Sequence, residues 1–372
     1  MILNMFLQNI RKQNKWMKNI ERILPLSAVI LLLVTNLTAC QTASGQTTDD
    51  RSEREKISVV TTIFPQYDFV REVAGDNVEL QMLLKPGEET HSYEPTPQDI
   101  IAILHADLFI YVGGENDVWV EEILEMPEMK EVHTLKLVDC VDTLSEHEHE
   151  HTEECEEEHE HIVECEEEHS HTETCRITIE HEHTGEEEAE EGVHTFDEHV
   201  WTSPVNAISI TEHITEELCE LDSVNAKIYE ENCKTYIVKL EELDEQFHEV
   251  VESAKNHTLL FGDRYPFKYF EEEYGLSHYA AFSGCASDTE PSAAIMAYLI
   301  DKVEEEQIPV VLKMELSNES ISQAIAEATG TEVKVFYSCH NLSAEQFEAG
   351  ENYLSMMQEN VNTLKEALKE WH

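Results

Sequence analysis

Residues 224–253 read VNAKIYEENCKTYIVKLEELDEQFHEVVES. Ile228, Tyr229, Tyr236, Ile237, Leu240, Leu243, Phe247, Val250 and Val251 recur there at helical spacing, which predicts one long helix with a continuous apolar stripe. Asp222-Ser223 offers a break and an N-cap after a preceding helix over Asn206–Leu221. At the usual rise the long helix spans about 45 Å, stiff enough to join two lobes without large hinge motion.

On each side of this helix, short β-type runs alternate with amphipathic helical stretches. Before it, strands are expected at Ile57–Ile63, Val78–Leu84, Leu108–Val112 and Thr134–Val138, with helices at Gln66–Ala74, Gln98–His105 and Val118–Leu124. After it, strands are expected at Thr258–Phe261, Ser277–Phe282, Pro309–Met314 and Val333–Tyr337. The helices of that series fall at Phe267–Tyr274, Pro291–Glu306, Ser320–Thr329 and Ala344–Lys369. Such alternation gives parallel sheets covered by helices on both faces, an α/β architecture. The expected organisation is an N-terminal lobe over 57–205, linking helices over 206–254 and a C-terminal lobe over 255–372.

The 372-residue chain has a formal charge of −55, which speaks against nucleic acid, whose phosphates need a basic face. Acid and histidine concentrate in residues 146–194, with ten of the twenty histidines, twenty-one glutamates and one basic residue, Arg176. A ten-residue repeat carries Cys155, His159 and His161, then Cys165, His169 and His171, then Cys175; His147, His149 and His151 precede it, and His181 and His183 follow. Dense like charge with few apolar residues cannot build a core, so the segment reads as a disordered insertion in the first lobe. Its imidazole, thiolate and carboxylate donors suit borderline divalent ions, held weakly because ordering the loop costs entropy. The run from His147 to His151 formally matches H-E-x-x-H, but it has no apolar face, third ligand or cleft, and a protease reading is rejected.

Arg11, Lys12, Lys15, Lys18 and Arg22 precede an apolar stretch from Ile23 to Leu37, the proportions of a signal peptide over 1–39. Leu37-Thr38-Ala39-Cys40 resembles a bacterial lipobox, making Cys40 the expected lipidation site and 40–56 a flexible tether. Localisation is therefore expected at the extracytoplasmic face of the cytoplasmic membrane, with a lipid anchor. Of the remaining cysteines, Cys219 and Cys233 lack obvious proximity, and whether Cys285 and Cys339 pair stays open.

Outside the insertion, position singles out a few side chains. His91, in Gly87-Glu-Glu-Thr-His91-Ser-Tyr93-Glu-Pro95-Thr-Pro97-Gln-Asp99, follows the second strand at the carboxyl edge of a parallel sheet, where open α/β sheets place ligands. His199, in Asp197-Glu-His199-Val-Trp201, enters the fold just after the insertion. Either could instead be a surface histidine bonded to backbone.

Taken together, Thr61-Thr62-Ile63-Phe64-Pro65, the segment around His91, Ala106-Asp107-Leu108-Phe109-Ile110-Tyr111, Asp197-x-His199-x-Trp201, Tyr274-Gly275-Leu276 and Glu290-Pro291-Ser292 resemble the zinc/manganese class of ABC substrate-binding lipoproteins, zinc branch, over about residues 57–370. The resemblance implies two Rossmann-like lobes joined by a long rigid backbone helix, with one metal in the cleft. It maps two N-lobe histidine ligands onto His91 and His199, and it implies that the C-lobe usually gives a third histidine, before an aromatic-Gly-Tyr segment, and sometimes a carboxylate. Here the sequence departs, because Phe261-Gly262-Asp263-Arg264-Tyr265 holds no histidine. Asp263 could supply the missing donor, or pair with Arg264, or cap the next helix. Glu315 could coordinate or orient a ligand, His340 could restore the third imidazole, and Cys339 would be a softer donor. His278 reads as structural.

These readings lead to a non-enzymatic capture protein for Zn2+, less favourably Mn2+, which delivers its ion to an ABC permease and through it to a cytoplasmic ATPase. It is expected to be monomeric. The competing classes are a zinc-dependent hydrolase, for which no base or substrate pocket is marked, and a surface zinc buffer or adhesin acting through the acidic insertion.

Overall fold

In the first lobe the chain runs β1 (Ser58–Thr61), α1 (Phe64–Ala74), β2 (Glu79–Met82), α2 (Pro97–Leu104), β3 (Leu108–Tyr111), α3 (Val118–Leu124) and β4 (His133–Lys136). Two long helices follow, α4 (Pro204–Leu221) and α5 (Ala226–Ser253). The second lobe runs β5 (Thr258–Phe261), α6 (Lys268–Tyr274), β6 (Ser277–Ala280), α7 (Ala293–Glu306), β7 (Val310–Lys313), α8 (Ser320–Thr329), β8 (Glu332–Val335), α9 (Ala344–Ala349) and α10 (Tyr353–Ala367). This computed structural model describes residues 56–88, 93–114, 117–144, 196–282 and 291–370. Cys40, His91, Cys285 and the insertion over 146–194 lie outside the described residues.

Both sheets are parallel and share one order, β2-β1-β3-β4 in the first and β6-β5-β7-β8 in the second. The fold is thus the expected α/β pair of lobes. Strand order reverses between β1 and β3, and again between β5 and β7, so loops splay apart there at the carboxyl edge and open a crevice.

Side chains alternate across each strand. Val59, Leu108, Leu259, Phe261, Val310 and Leu312 face one core shared by both lobes, whereas Val60 and Phe109, like Leu260 and Val311, face separate outer clusters under their own helices. The shared core is threaded by α5, which buries Tyr229, Cys233, Tyr236, Leu240, Leu243, Phe247, Val250 and Val251 at steps of three and four. Its twenty-eight residues extend about 42 Å. Helix α10 returns to the first lobe, where Tyr353 stands edge-on to Phe69 at 5.0 Å and its N–H donates to the buried Asp68 at 2.7 Å. Residues 55–372 accordingly cluster as a single compact unit.

Three sequence readings need correction. The single helix expected over Ala344–Lys369 is two, because Gly350 turns left-handed at φ 81° to end α9 and Asn352 caps α10 by accepting from Ser355 N–H. Strand β1 stops before Ile63, whose N–H donates to Gln66 Oε1 instead of to a neighbouring strand. Cys219 and Cys233 are not remote: the α4–α5 hairpin folds them together, and Cys233 adds to the upward push that burial exerts on the Cys219 thiol. Among the described residues no helix is long and apolar enough to cross a membrane.

Candidate metal centre

Two imidazoles meet in the crevice, one from each lobe. His199 lies just before a tight turn (Val200–Thr202) that leads into α4, whose start is fixed by Pro204 and by the Ser203 side-chain cap. It is 3% exposed. Asp197 accepts from its backbone N–H at 2.8 Å and lies 2.9 Å from its Nδ1. A carboxylate at Nδ1 assigns the proton there and the lone pair to Nε2. Burial is the largest single effect and pushes the Asp197 carboxyl up, but the charge and hydrogen bonds of His199 together with the charge of Lys268 outweigh it, and the net position is below the usual range. Asp197 is itself anchored, because Tyr269 donates its hydroxyl to the Asp197 carbonyl.

His340 comes from the loop after β8 and is 8% exposed. Its ring stands edge-on to His199 at 4.6 Å between centroids and to Trp201 at 4.8 Å. The loop reaches this position through Cys339, which takes a left-handed φ of 59°, uncommon for a side-chain-bearing residue. His340 Nδ1 lies 3.1 Å from Ser338 Oγ, and Ser338 donates both its hydroxyl and its N–H to Glu315, each at 2.7 Å. With the hydroxyl proton directed at the carboxylate, Ser338 accepts from Nδ1 and the His340 lone pair falls on Nε2. The relay Glu315–Ser338–His340 therefore mirrors the pair Asp197–His199. Burial pushes the Glu315 carboxyl up to about 7 against the hydrogen bonds from Ser338.

The His340 loop also fastens the lobes. Trp201 Nε1 donates to the Ser338 carbonyl at 2.8 Å, and Asn341 Nδ2 donates to the carbonyls of Lys85 and Glu88, both at 2.9 Å. Gly87 N–H donates to the Leu342 carbonyl at 2.8 Å. Residues 85–88 begin the loop that carries His91, which is outside the described residues, and Tyr93 beyond it packs on Trp119. The pocket facing His340 is lined by Thr62, Ile63, Tyr93, Trp201 and two carboxylates, Asp117 and Glu198.

The remaining candidates are placed differently. Both oxygens of Asp263 accept backbone N–H groups, from Arg264 and Met314 at 2.9 Å each, so it ties the β5 and β7 loops across the switch point. Cys339 is fully buried and its thiol is pushed well above the usual range by that burial, which disfavours the thiolate a metal needs. His278 stacks on Tyr265 at 3.5 Å and pairs with Glu271 at 2.7 Å. Sequence reading quoted Asp197 but gave it no task, and it passed over Ser338 and Asn341. The Asp-x-His spacing is a signal for the first; the other two become meaningful only through contacts across the cleft.

A family profile described as zinc-uptake complex component A, periplasmic, matches residues 59–367. The chain belongs to this family. It is 32% identical over 312 residues to the zinc-binding lipoprotein AdcA of Streptococcus pneumoniae R6, covering 84% of this chain and 56% of that protein, so it spans little more than half of that relative. It is 31% identical over 344 residues to the high-affinity zinc uptake system protein ZnuA of Bacillus subtilis 168, covering 92% of this chain and 95% of the relative. The crystal structure of the Zn(II)-bound ZnuA-like domain of pneumococcal AdcA superposes with a TM-score of 0.63 at 29% identity, covering 84% of this chain and 99% of that one. The metal-dependent lipoprotein YcdH of Bacillus subtilis superposes with a TM-score of 0.65 at 26% identity, covering 84% and 100%. Both comparisons agree with the two parallel sheets seen here.

Proposed function

We propose that this family member captures Zn2+ outside the cytoplasm and delivers it to an ABC permease driven by a cytoplasmic ATPase. The observation that carries the reading is the inter-lobe pair His199 and His340, with ring centroids 4.6 Å apart and each with a partner at Nδ1 that assigns the lone pair to Nε2. Neutral imidazoles of this kind suit zinc, whereas manganese prefers more oxygen donors. In this proposal His91 joins them as the third imidazole. Glu315 positions His340 through Ser338 and is the carboxylate closest in role to a fourth ligand. In this reading Asp263 is assigned to holding the β5 and β7 loops through the Arg264 and Met314 N–H groups. The ion is cargo, so the chain performs no covalent chemistry.

Cys40 anchors the mature protein to the membrane in this reading. His147, His149, His151, Cys155, His159, His161, Cys165, His169, His171, Cys175, His181 and His183 gather ions loosely in this reading. Names of the relatives support the zinc assignment: one is called a zinc-binding lipoprotein and another a high-affinity zinc uptake protein.

Zinc titration of the mature chain with and without residues 146–194 tests the reading. One tight site should survive the deletion, and H199A and H340A should each abolish it, with manganese binding more weakly throughout. Loss of all tight binding on deletion would instead make the chain a surface buffer.

A further inference from the structure

Outside the lining of the crevice, α5 and α6 bring three metal-ligating side chains together. Asp244 and His248 are four residues apart on α5 and so leave the same face of the helix. Glu273 meets them from α6. His248 Nε2 lies 3.7 Å from Asp244 Oδ1 and 4.0 Å from Glu273 Oε1, and one donor atom from each of the three lies within 4.8 Å of the others. These separations are too long for hydrogen bonds. They lie just outside the roughly 3.3 Å ligand–ligand edge of a tetrahedron built with zinc bonds of about 2.0 Å.

The cluster has a rigid support. Tyr274 donates its hydroxyl to Asp244 Oδ1 at 2.7 Å and stands edge-on to the His248 ring at 4.9 Å, while its own ring is packed by Phe247 and Phe270. A carboxylate oriented by a buried hydroxyl is the kind of outer contact that fixes a metal ligand. Among the described residues neither Asp244 nor Glu273 has a lysine or arginine partner, so the two carboxylates face each other with only the imidazole between them. The side chains of Asp244, His248 and Glu273 are 23%, 44% and 32% exposed, which leaves the fourth position open to water.

We propose that Asp244, His248 and Glu273 form a second binding site for a borderline divalent cation of the Zn2+ type, which clamps the long helix to α6. The site is independent of the inter-lobe histidines. With one imidazole, two carboxylates and an open face it binds more weakly than a closed site and fills at higher metal concentration.

The test uses the full mature chain and zinc alone. After soaking crystals in excess zinc, anomalous diffraction at the zinc edge should show density about 2.0–2.2 Å from the three donor atoms. That peak should vanish in H248A while any peak between His199 and His340 remains. In solution, the 15N resonance of His248 Nε2, assigned by its disappearance in H248A, should move only after the tight site is filled. An unshifted His248 resonance at saturating zinc overturns the proposal, as does a peak that persists unchanged in H248A. Failure of the capture reading would show separately, as loss of the inter-lobe peak with the outer one intact.

Discussion

Asp197 is the residue whose removal should separate orientation from coordination. Asp197→Asn keeps the size and an acceptor but weakens the grip on His199 Nδ1, and such outer partners are worth about 10–100-fold in metal affinity. Competition titration against a chelator should show a loss in that range with the fold unchanged by circular dichroism; unchanged affinity would remove Asp197 from the site. Asp68 makes a different prediction, on stability. Burial raises its carboxyl from 3.8 to about 6, against the pull of Arg71 and the Tyr353 N–H. The folded protein therefore holds this proton more tightly than the unfolded chain does. The resulting stabilisation is complete below pH 3.8 and is lost as pH rises through about 6. Asp68→Asn should flatten that segment of the stability curve, by on the order of 2 kcal/mol relative to the parent. Urea midpoints at pH 4.5 and 7 for both proteins check it.

At the scale of elements, most of the architecture was legible because hydrophobic spacing is local. The stripe of α5 and the alternation of its flanking strands needed no tertiary information, and the parallel sheets followed from them. What failed was decided by single backbone groups: Gly350 and Asn352 divide the last helix, and the N–H of Ile63 is diverted to Gln66. The candidate site divided in the same way. His199 and His340 could be named from their places at strand and turn ends, but the pairing of Ser338 with Glu315, and of Asp263 with Met314, joins loops far apart in sequence. Nothing in residues 261–265 alone distinguishes a carboxylate that binds metal from one that accepts backbone N–H groups. Close packing of elements gives its own prediction at Gly262, where an added Cβ would meet the Ser322 backbone at 2.5 Å. Gly262→Ala should push α8 off β5 and destabilise the protein by about 1–3 kcal/mol, read as a lower denaturant midpoint. An unchanged midpoint would mean that α8 shifts freely.

For the whole molecule, the shared core carries the strongest expectation. Buried residues from both sheets and from α1, α4, α5 and α10 belong to one cluster, so the lobes should not unfold independently. Differential scanning calorimetry should give one transition, and Phe247→Ala, in the middle of that core, should lower it as a unit at a cost of about 3–5 kcal/mol. Two resolved transitions would contradict a common core. Removing residues 146–194 should leave this transition in place, since a stretch with twenty-one glutamates and few apolar residues has little to add to a core.

The stitching of the His340 loop to Lys85, Gly87 and Glu88 limits how cargo can leave. With a common interior behind it and several cross-seam bonds beside it, the crevice does not gape like a clamshell. Departure of an ion then depends on unpicking a few hydrogen bonds around one loop, a local event far cheaper than parting the halves. In the proposed delivery step, a docked permease would need only to loosen that fastening to set the unloading rate.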